Sequence, residues 1–193
     1  MKLSVLIPTV PQREQVFTEL LTYLMNQAEE IEGNEIEILW DSSPVGSITT
    51  GEKRNLLLSK SVGRYVWFID DDDWVSETAL KDIMQGIKYN PDSFAINGMW
   101  SENGQKNTRW FISKDLDYCA DHSLGYEVFH RPPNHITPMK RSIALKIGFP
   151  NKSNQEDYDF CMRLKESKLI QTEYVIDKPI YDYRYLNYNK LYS

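Results

Sequence analysis

Two cysteines in 193 residues, Cys119 and Cys161, are too few and too far apart for a disulfide framework or a cysteine-type zinc site. No apolar run approaches the ~20 residues that a membrane span requires. The amino terminus lacks a signal-peptide layout, because Lys2 leads straight into a short apolar stretch and then Pro8. A cytoplasmic location is the resulting expectation. Basic charge is scarce as well: 22 Lys and Arg stand against 28 Asp and Glu, for a formal net charge of -6. That balance disfavours nonspecific binding to a polyanion, although a local patch such as Lys140-Arg141 could still face a nucleic acid. There is no internal repeat, no low-complexity tract and no linker that would split the chain.

What is present suits one soluble domain over residues 1–193, with 41% hydrophobic and 12% aromatic residues and a mean hydropathy of -0.53. The most informative stretch is Tyr65–Trp74. Five apolar residues, Tyr65–Ile69, read as a strand buried on both faces, the pattern of an inner parallel strand. Asp70, Asp71, Asp72 and Asp73 follow without a break. An uncompensated carboxylate in a core is costly, so the strand must end at Ile69 and release the aspartates into a crevice. Ligands of open α/β sheets collect at such strand ends. Hard divalent cations favour oxygen ligands, and Mg²⁺ usually binds one or two carboxylates plus substrate phosphates. A metal–diphosphate site is the leading reading. A solvated acidic turn or a structural Ca²⁺ loop stands against it, and four aspartates alone do not choose between them.

The flanking pattern supplies the rest of the fold. Leu3–Ile7 reads as a first buried strand stopped by Pro8. Phe17, Leu20, Leu21, Leu24, Met25 and Ala28 recur at helical period as one core stripe. Gly33-Asn34 marks the turn into a second strand, Glu35–Trp40, that ends at Asp41. A helix over about Glu52–Ser61 stops at Gly63, and Ser76 caps a helix over Glu77 to about Asn90. The order β-α-β-α-β-α predicts a mostly parallel, right-handed sheet flanked by helices. Beyond it, Phe94–Trp100 and Thr108–Ile112 form a hairpin around Asn103-Gly104. Residues 114–134 are poorly patterned and read as a loop over the site. A short helix Ser142–Ile147, a helix from Gln155 to about Lys168 capped by Asn154, and a strand Tyr174–Ile176 complete the chain, with a Tyr- and Asn-rich tail.

Ser4–Thr9, Asp41-Ser42-Ser43, Gly51–Asn55 and Phe68–Trp74 together resemble the nucleotide-sugar half of a family 2 glycosyltransferase, which has the GT-A fold. Met139-Lys140-Arg141, Ile147-Gly148-Phe149 and Gln155–Asp159 are similar to that family's segment running through an Ile-Gly-Phe turn into a Glu-Asp pair that opens a helix. Each motif alone is weak, and the ordered set is fairly specific. Residues 93–134 carry no such resemblance.

The resemblance implies an inverting transferase that moves a sugar from a nucleoside-diphosphate donor, of the UDP type, to an acceptor hydroxyl. Residues 1–92 would be the donor half and 93–193 the acceptor half. It implies donor contacts from Thr9, Asp41, Lys53, Arg54, Asp70 and Asp71, with Asp41 on the base. It also implies a divalent cation, Mn²⁺ or Mg²⁺, on Asp72 with Asp70 and His135. Within the run, Asp70 and Asp72 take the active places if the strand ends at Ile69, and Asp71 and Asp73 do if it ends one residue later. Asp157 would be the general base and Glu156 its orienting neighbour. For Asp41 the alternative is a loop cap, for Lys53 a solvated helix face, for the Glu-Asp pair first-turn acidic enrichment, and for His135 a satisfied structural histidine. Tyr183, Tyr185 and Tyr188 read as a tail packed on the core rather than a stacking platform. The rivals to a transferase are a nucleotidyltransferase of similar topology and a non-catalytic sugar-nucleotide or metal-binding module. The first would be expected to carry a Gly-rich loop where Pro8-Thr9-Val10-Pro11 stands. The acceptor is open among saccharide, lipid-linked sugar, protein and a hydroxylated DNA base.

Overall fold

The computed structural model describes residues 1–33, 35–121 and 127–185. The expected Gly33-Asn34 turn therefore lies partly outside the described residues, as do Tyr188 and the end of the tail. The apolar runs of the first half become strands β1 (Leu3–Pro8), β2 (Ile36–Asp41) and β3 (Tyr65–Phe68), with β1 central and parallel to both neighbours. Side chains of alternate residues leave a strand on opposite faces. In β3 and just beyond it, Tyr65, Trp67 and Ile69 enter one core, while Val66 and Phe68 enter another. Helices α1 (Glu14–Glu29) and α3 (Ala79–Ile87) cover the first face. Helices α2 (Thr50–Lys60), α4 (Arg141–Ile147) and α5 (Glu156–Ser167) cover the second.

The second half extends the same sheet. It adds β4 (Trp74–Val75), β5 (Ser93–Glu102), β6 (Gln105–Ile112), β7 (Cys119–Asp121), β8 (Val128–Arg131), β9 (Met139–Lys140) and β10 (Glu173–Tyr185). The order is β2-β1-β3-β9-β5-β6-β8-β7, and β10 pairs with β5 and β4. The sheet is mixed, with β5–β6, β3–β9 and β7–β8 antiparallel, but parallel pairings carry most of its register. The strands of the first half lie side by side and those of the second half follow them, and the pairings of β3 with β9 and of β4 with β10 join the two into one continuous sheet.

Four local expectations give way. Helix α3 begins at Ala79 instead of Glu77, because the Ser76 amide donates to Ile180 O where β4 runs beside β10. Helix α5 has no side-chain cap from Asn154; Gln155 precedes it in the left-handed region at φ 60. Residues 114–134 are not one loop, since β7 and β8 form within them, although 122–126 lie outside the described residues. The last strand runs thirteen residues, not three. Pro179 has no amide to donate, and the pairing of β10 with β5 shifts register on both sides of it, so the strand resumes through Tyr185. No helix among the described residues is long and apolar enough to cross a membrane.

Candidate active site

Beyond β3 the Ile69 amide still bonds Leu6 O at 3.1 Å, and the Asp73 amide then closes a turn on Asp70 O at 3.1 Å. That turn sorts the four aspartates. Asp71 and Asp73 are each only 2% exposed, whereas Asp70 and Asp72 are half-buried and open to a cleft. Asp71 accepts the Thr9 hydroxyl at 2.7 Å and the Arg13 guanidinium at 2.6 Å. Asp73 faces away from Asp71, accepting the Tyr181 hydroxyl at 2.6 Å and the Arg184 amide at 2.8 Å. Burial, with Asp70 and Asp72 nearby, raises the Asp73 carboxyl well above the ordinary range against these hydrogen bonds.

Asp70 is the hub. One oxygen accepts Arg54 Nη2 at 2.8 Å, and the other lies 3.2 Å from His135 Nε2. Burial opposes its charge, but Arg54 and His135 hold its carboxyl far below the usual range. Asp72 meets the opposite balance. Burial and the neighbouring Asp70 and Asp71 push it up to about 6, although Arg13 Nη1 at 3.1 Å pulls it down. A carboxylate whose charge is that strongly opposed is suited to a cationic ligand.

The cleft measures about 390 Å³ and is walled by Thr9, Lys53, Arg54, Asp70, Asp71 and Asp72, the Val45–Ile48 loop and Tyr183. Lys53 is not on a solvated face: it is 5% exposed, and its ammonium donates to Thr9 O and, at 2.8 Å, to Ser43 O. It thereby ties the ends of β1 and β2 to α2. Burial lowers its pKa against the pull of Asp41 and Asp71. Asp41 caps its own loop, taking the Ser43 amide at 2.9 Å. Burial is outweighed there by the Ser43 hydrogen bonds and Lys53, so its carboxyl lies below the ordinary value. Asp41 is adjacent to the cleft but not among its walls.

A second cavity of about 440 Å³ is lined by Trp100, Trp110, Tyr118, Phe129, Arg131, His135, Asp157 and Tyr183. Asp157 reaches it from the first turn of α5, where unpaired amides favour a negative charge. Glu156 points the other way, buried, with Oε1 3.5 Å from Arg54 Nε. Burial raises its pKa, and Arg54 opposes the rise. Arg54 thus holds Asp70 of the cleft and Glu156 of the α5 turn together, packed over the rings of Phe68 and Phe149.

Two motifs far apart in sequence meet beside it. The Asn55 amide donates to Phe149 O at 2.9 Å, and its oxygen accepts the Phe149 amide at 2.8 Å. Gly148 turns there at φ +59, in the left-handed region that suits glycine. Gly51 packs so closely that a Cβ would lie 1.8 Å from Pro150 O.

The structure therefore gathers Thr9, Lys53, Arg54, Asp70, Asp71 and Asp72 on one cleft, and His135 and Asp157 on the adjoining cavity. It does not gather Asp70, Asp72 and His135 into a three-ligand cage. Among the described residues no group of three or more His, Cys, Asp or Glu side chains is arranged to hold a metal ion. His135 is engaged with Asp70, and its Nδ1 is buried without a hydrogen-bond partner. A hard cation here fits Asp72, with Asp70 beside it, only if a diphosphate and water supply the remaining oxygens. Sequence reasoning missed Arg13, Tyr181 and Arg131 and placed Tyr183 on the core. Pro11 at the opening of a turn was a signal that Arg13 lies one turn from the β1 end. The others belong to strands without clear periodicity.

The sequence model of glycosyl transferase family 2 matches residues 46–148. No curated protein matches the chain in sequence. In three dimensions it is similar to TarS of S. aureus: the crystal structure of TarS 1-349 in complex with UDP-GlcNAc superposes with a TM-score of 0.64 at 20% identity, over 95% of this chain and 58% of that one. The corresponding UDP complex gives 0.63 at 20% identity, over 95% and 60%. The chain spans about 60% of the length of TarS 1-349, and at this identity the likeness is one of fold.

Proposed function

Because the chain belongs to glycosyl transferase family 2, we propose that it moves a sugar from a nucleoside-diphosphate donor to an acceptor hydroxyl with inversion at the anomeric carbon. The observation that carries this reading is the shared wall at Tyr183. Asp70 and Asp72 face the cleft on one side of it, and Asp157 faces the cavity on the other. With a divalent cation on its aspartates the cleft would suit a donor diphosphate, and the complexes of TarS with UDP-GlcNAc and UDP support a UDP-type donor.

In this reading Asp157 takes the proton from the acceptor hydroxyl as its oxygen bonds to the anomeric carbon, and the bond from that carbon to the diphosphate oxygen breaks. The nucleoside diphosphate leaves with the electron pair. A divalent cation, held by Asp72 with Asp70 beside it, would act as a Lewis acid toward the leaving phosphates. Arg54 keeps Asp70 ionised and fixes the turn that carries Asp157 through its contact with Glu156. Thr9, Arg13 and Lys53 shape the cleft floor. The base contact is assigned to Asp41, which adjoins the cleft, and the acceptor side to residues 93–185.

The test is release of nucleoside diphosphate from a panel of UDP-, GDP- and TDP-sugars with Mn²⁺ or Mg²⁺, read by mass spectrometry. Turnover of at least one donor is expected, and neither release nor nucleotide affinity with any of them would overturn the reading. Asp157→Asn keeps size and polarity but accepts no proton, so turnover is expected to fall by about 10²–10⁴ with donor affinity retained. Asp159→Asn is the control, since Asp159 is paired with Lys152 at 2.6 Å. Equal turnover in Asp157→Asn and the unaltered protein would remove the base assignment.

A further inference from the structure

We propose that the cavity beside Asp157 takes an acceptor whose hydroxylated ring carries an anionic group, a phosphate or a carboxylate, and that Arg131 binds that anion. The inference rests on the transfer reading for the ligand's role as acceptor. Three arginines line the cleft and the cavity. Arg13 and Arg54 are each ion-paired with carboxylates. Arg131 is not: among the described residues no carboxylate lies within ion-pair distance of it.

Its contacts orient the guanidinium without neutralising it. Nη1 donates to His130 O at 2.8 Å and to Cys119 O at 3.4 Å. The group lies 5.0 Å from the Tyr118 ring centre and 5.1 Å from that of Phe129. The group thus lies against two aromatic rings, and its hydrogen bonds to described residues come from Nη1 alone. A planar guanidinium fixed in this way presents parallel donors to a phosphate or carboxylate.

Two further features point to a polar ligand in the same cavity. Trp110 is 5% exposed, and its Nε1–H has no hydrogen-bond partner. A buried donor left unmade is costly, and this one belongs to a ring that lines the cavity. The aromatic walls suit the apolar face of a ring. Asp157 would repel an anionic acceptor, and Arg131 supplies the compensating charge. A neutral acceptor would desolvate Arg131 with nothing in return, which makes the arginine a selector between the two classes.

Trp100 and Trp110 make the cavity its own reporter through intrinsic fluorescence. Glucose, glucose 6-phosphate, glucuronate and inorganic phosphate are titrated against the unaltered protein, Arg131→Gln and Arg131→Lys, with UDP affinity measured by calorimetry in each. Both or either of the anionic sugars should bind at least tenfold tighter than glucose and tighter than inorganic phosphate. Arg131→Gln should abolish the difference, Arg131→Lys should retain part of it, and UDP affinity should hold throughout. The stronger of the two anionic sugars identifies the anion. Equal binding of glucose and both anionic sugars, no saturable quenching by either, or a preference that survives Arg131→Gln would overturn the proposal. Loss of UDP affinity in the unaltered protein would instead defeat the donor reading, so the two failures are distinguishable.

Discussion

Arg54 is a buried cation with carboxylates on two sides, and its removal leaves Glu156 without its cation and Asp70 with His135 alone. Arg54→Met should lower stability by about 3–5 kcal/mol in urea unfolding. Arg54→Lys keeps the charge but not the fork, so it should restore stability more fully than turnover. Equal recovery of both would reduce Arg54 to a packing residue. The aspartates divide in the same way. Asp72→Asn should leave the fold intact and remove the cation dependence of UDP affinity in calorimetry. Asp73→Asn should cost about 1–3 kcal/mol of stability, because Tyr181 and Arg184 hold that carboxylate inside. The Asp run was visible in the sequence as a cluster released at a strand end. Its facing was not, because four identical residues carry no amphipathic signal, and the turn closed by the Asp73 amide on Asp70 O and partners distant in sequence orient them.

At the level of elements, α2 is docked onto the loop that leads to α5. Asn55 clasps Phe149, Thr49 and Glu52 meet Asn151 at 2.8 and 2.9 Å, and the Gly51 amide bonds Lys152 O at 3.0 Å. Gly51→Ala places a methyl against Pro150 O and should cost about 1–3 kcal/mol. Turnover should fall with it, since the loop sets the position of Asp157. Full activity in a stably folded Gly51→Ala would separate the docking from catalysis. A second junction is Asp92, which joins β9 through Lys140 at 2.9 Å and the approach to β10 through the amides of Gln171 and Thr172. Burial opposes its charge, but these bonds bring its pKa down from 3.8 to about 2. With the folded value below the unfolded one, its contribution is complete above about 4 and is lost as pH falls toward 2. Asp92→Asn should therefore be less stable by ~1–2 kcal/mol at pH 6, with the gap closing near pH 2. The elements with strong periodicity, β1, α1, β2, α2 and β3, were legible to within a few residues. Strand β10 was not, because Pro179 and its charged neighbours break the alternation that would announce it.

At the scale of the molecule, a sheet continuous across the β3–β9 and β4–β10 pairings predicts one cooperative unit. Trp40, Trp67, Trp74, Trp100 and Trp110 lie on β2, β3, β4, β5 and β6, so tryptophan emission samples both halves. Unfolding followed by fluorescence and by far-ultraviolet dichroism should coincide in a single transition. Two separated transitions would mean that the halves meeting near residue 92 are independent domains. The first half was readable because its motifs fall at strand ends. The second half was not, because its cavity is assembled from aromatic residues on β5, β6 and β8 that are unremarkable one at a time. Tyr183, standing in both the cleft and the cavity, has a thermodynamic corollary. Two compartments with one wall in common are filled with linked free energies, and linkage is reciprocal. Under the proposed transfer, the factor by which nucleotide alters acceptor affinity must equal the factor by which acceptor alters nucleotide affinity, so each ligand can be assayed through the other.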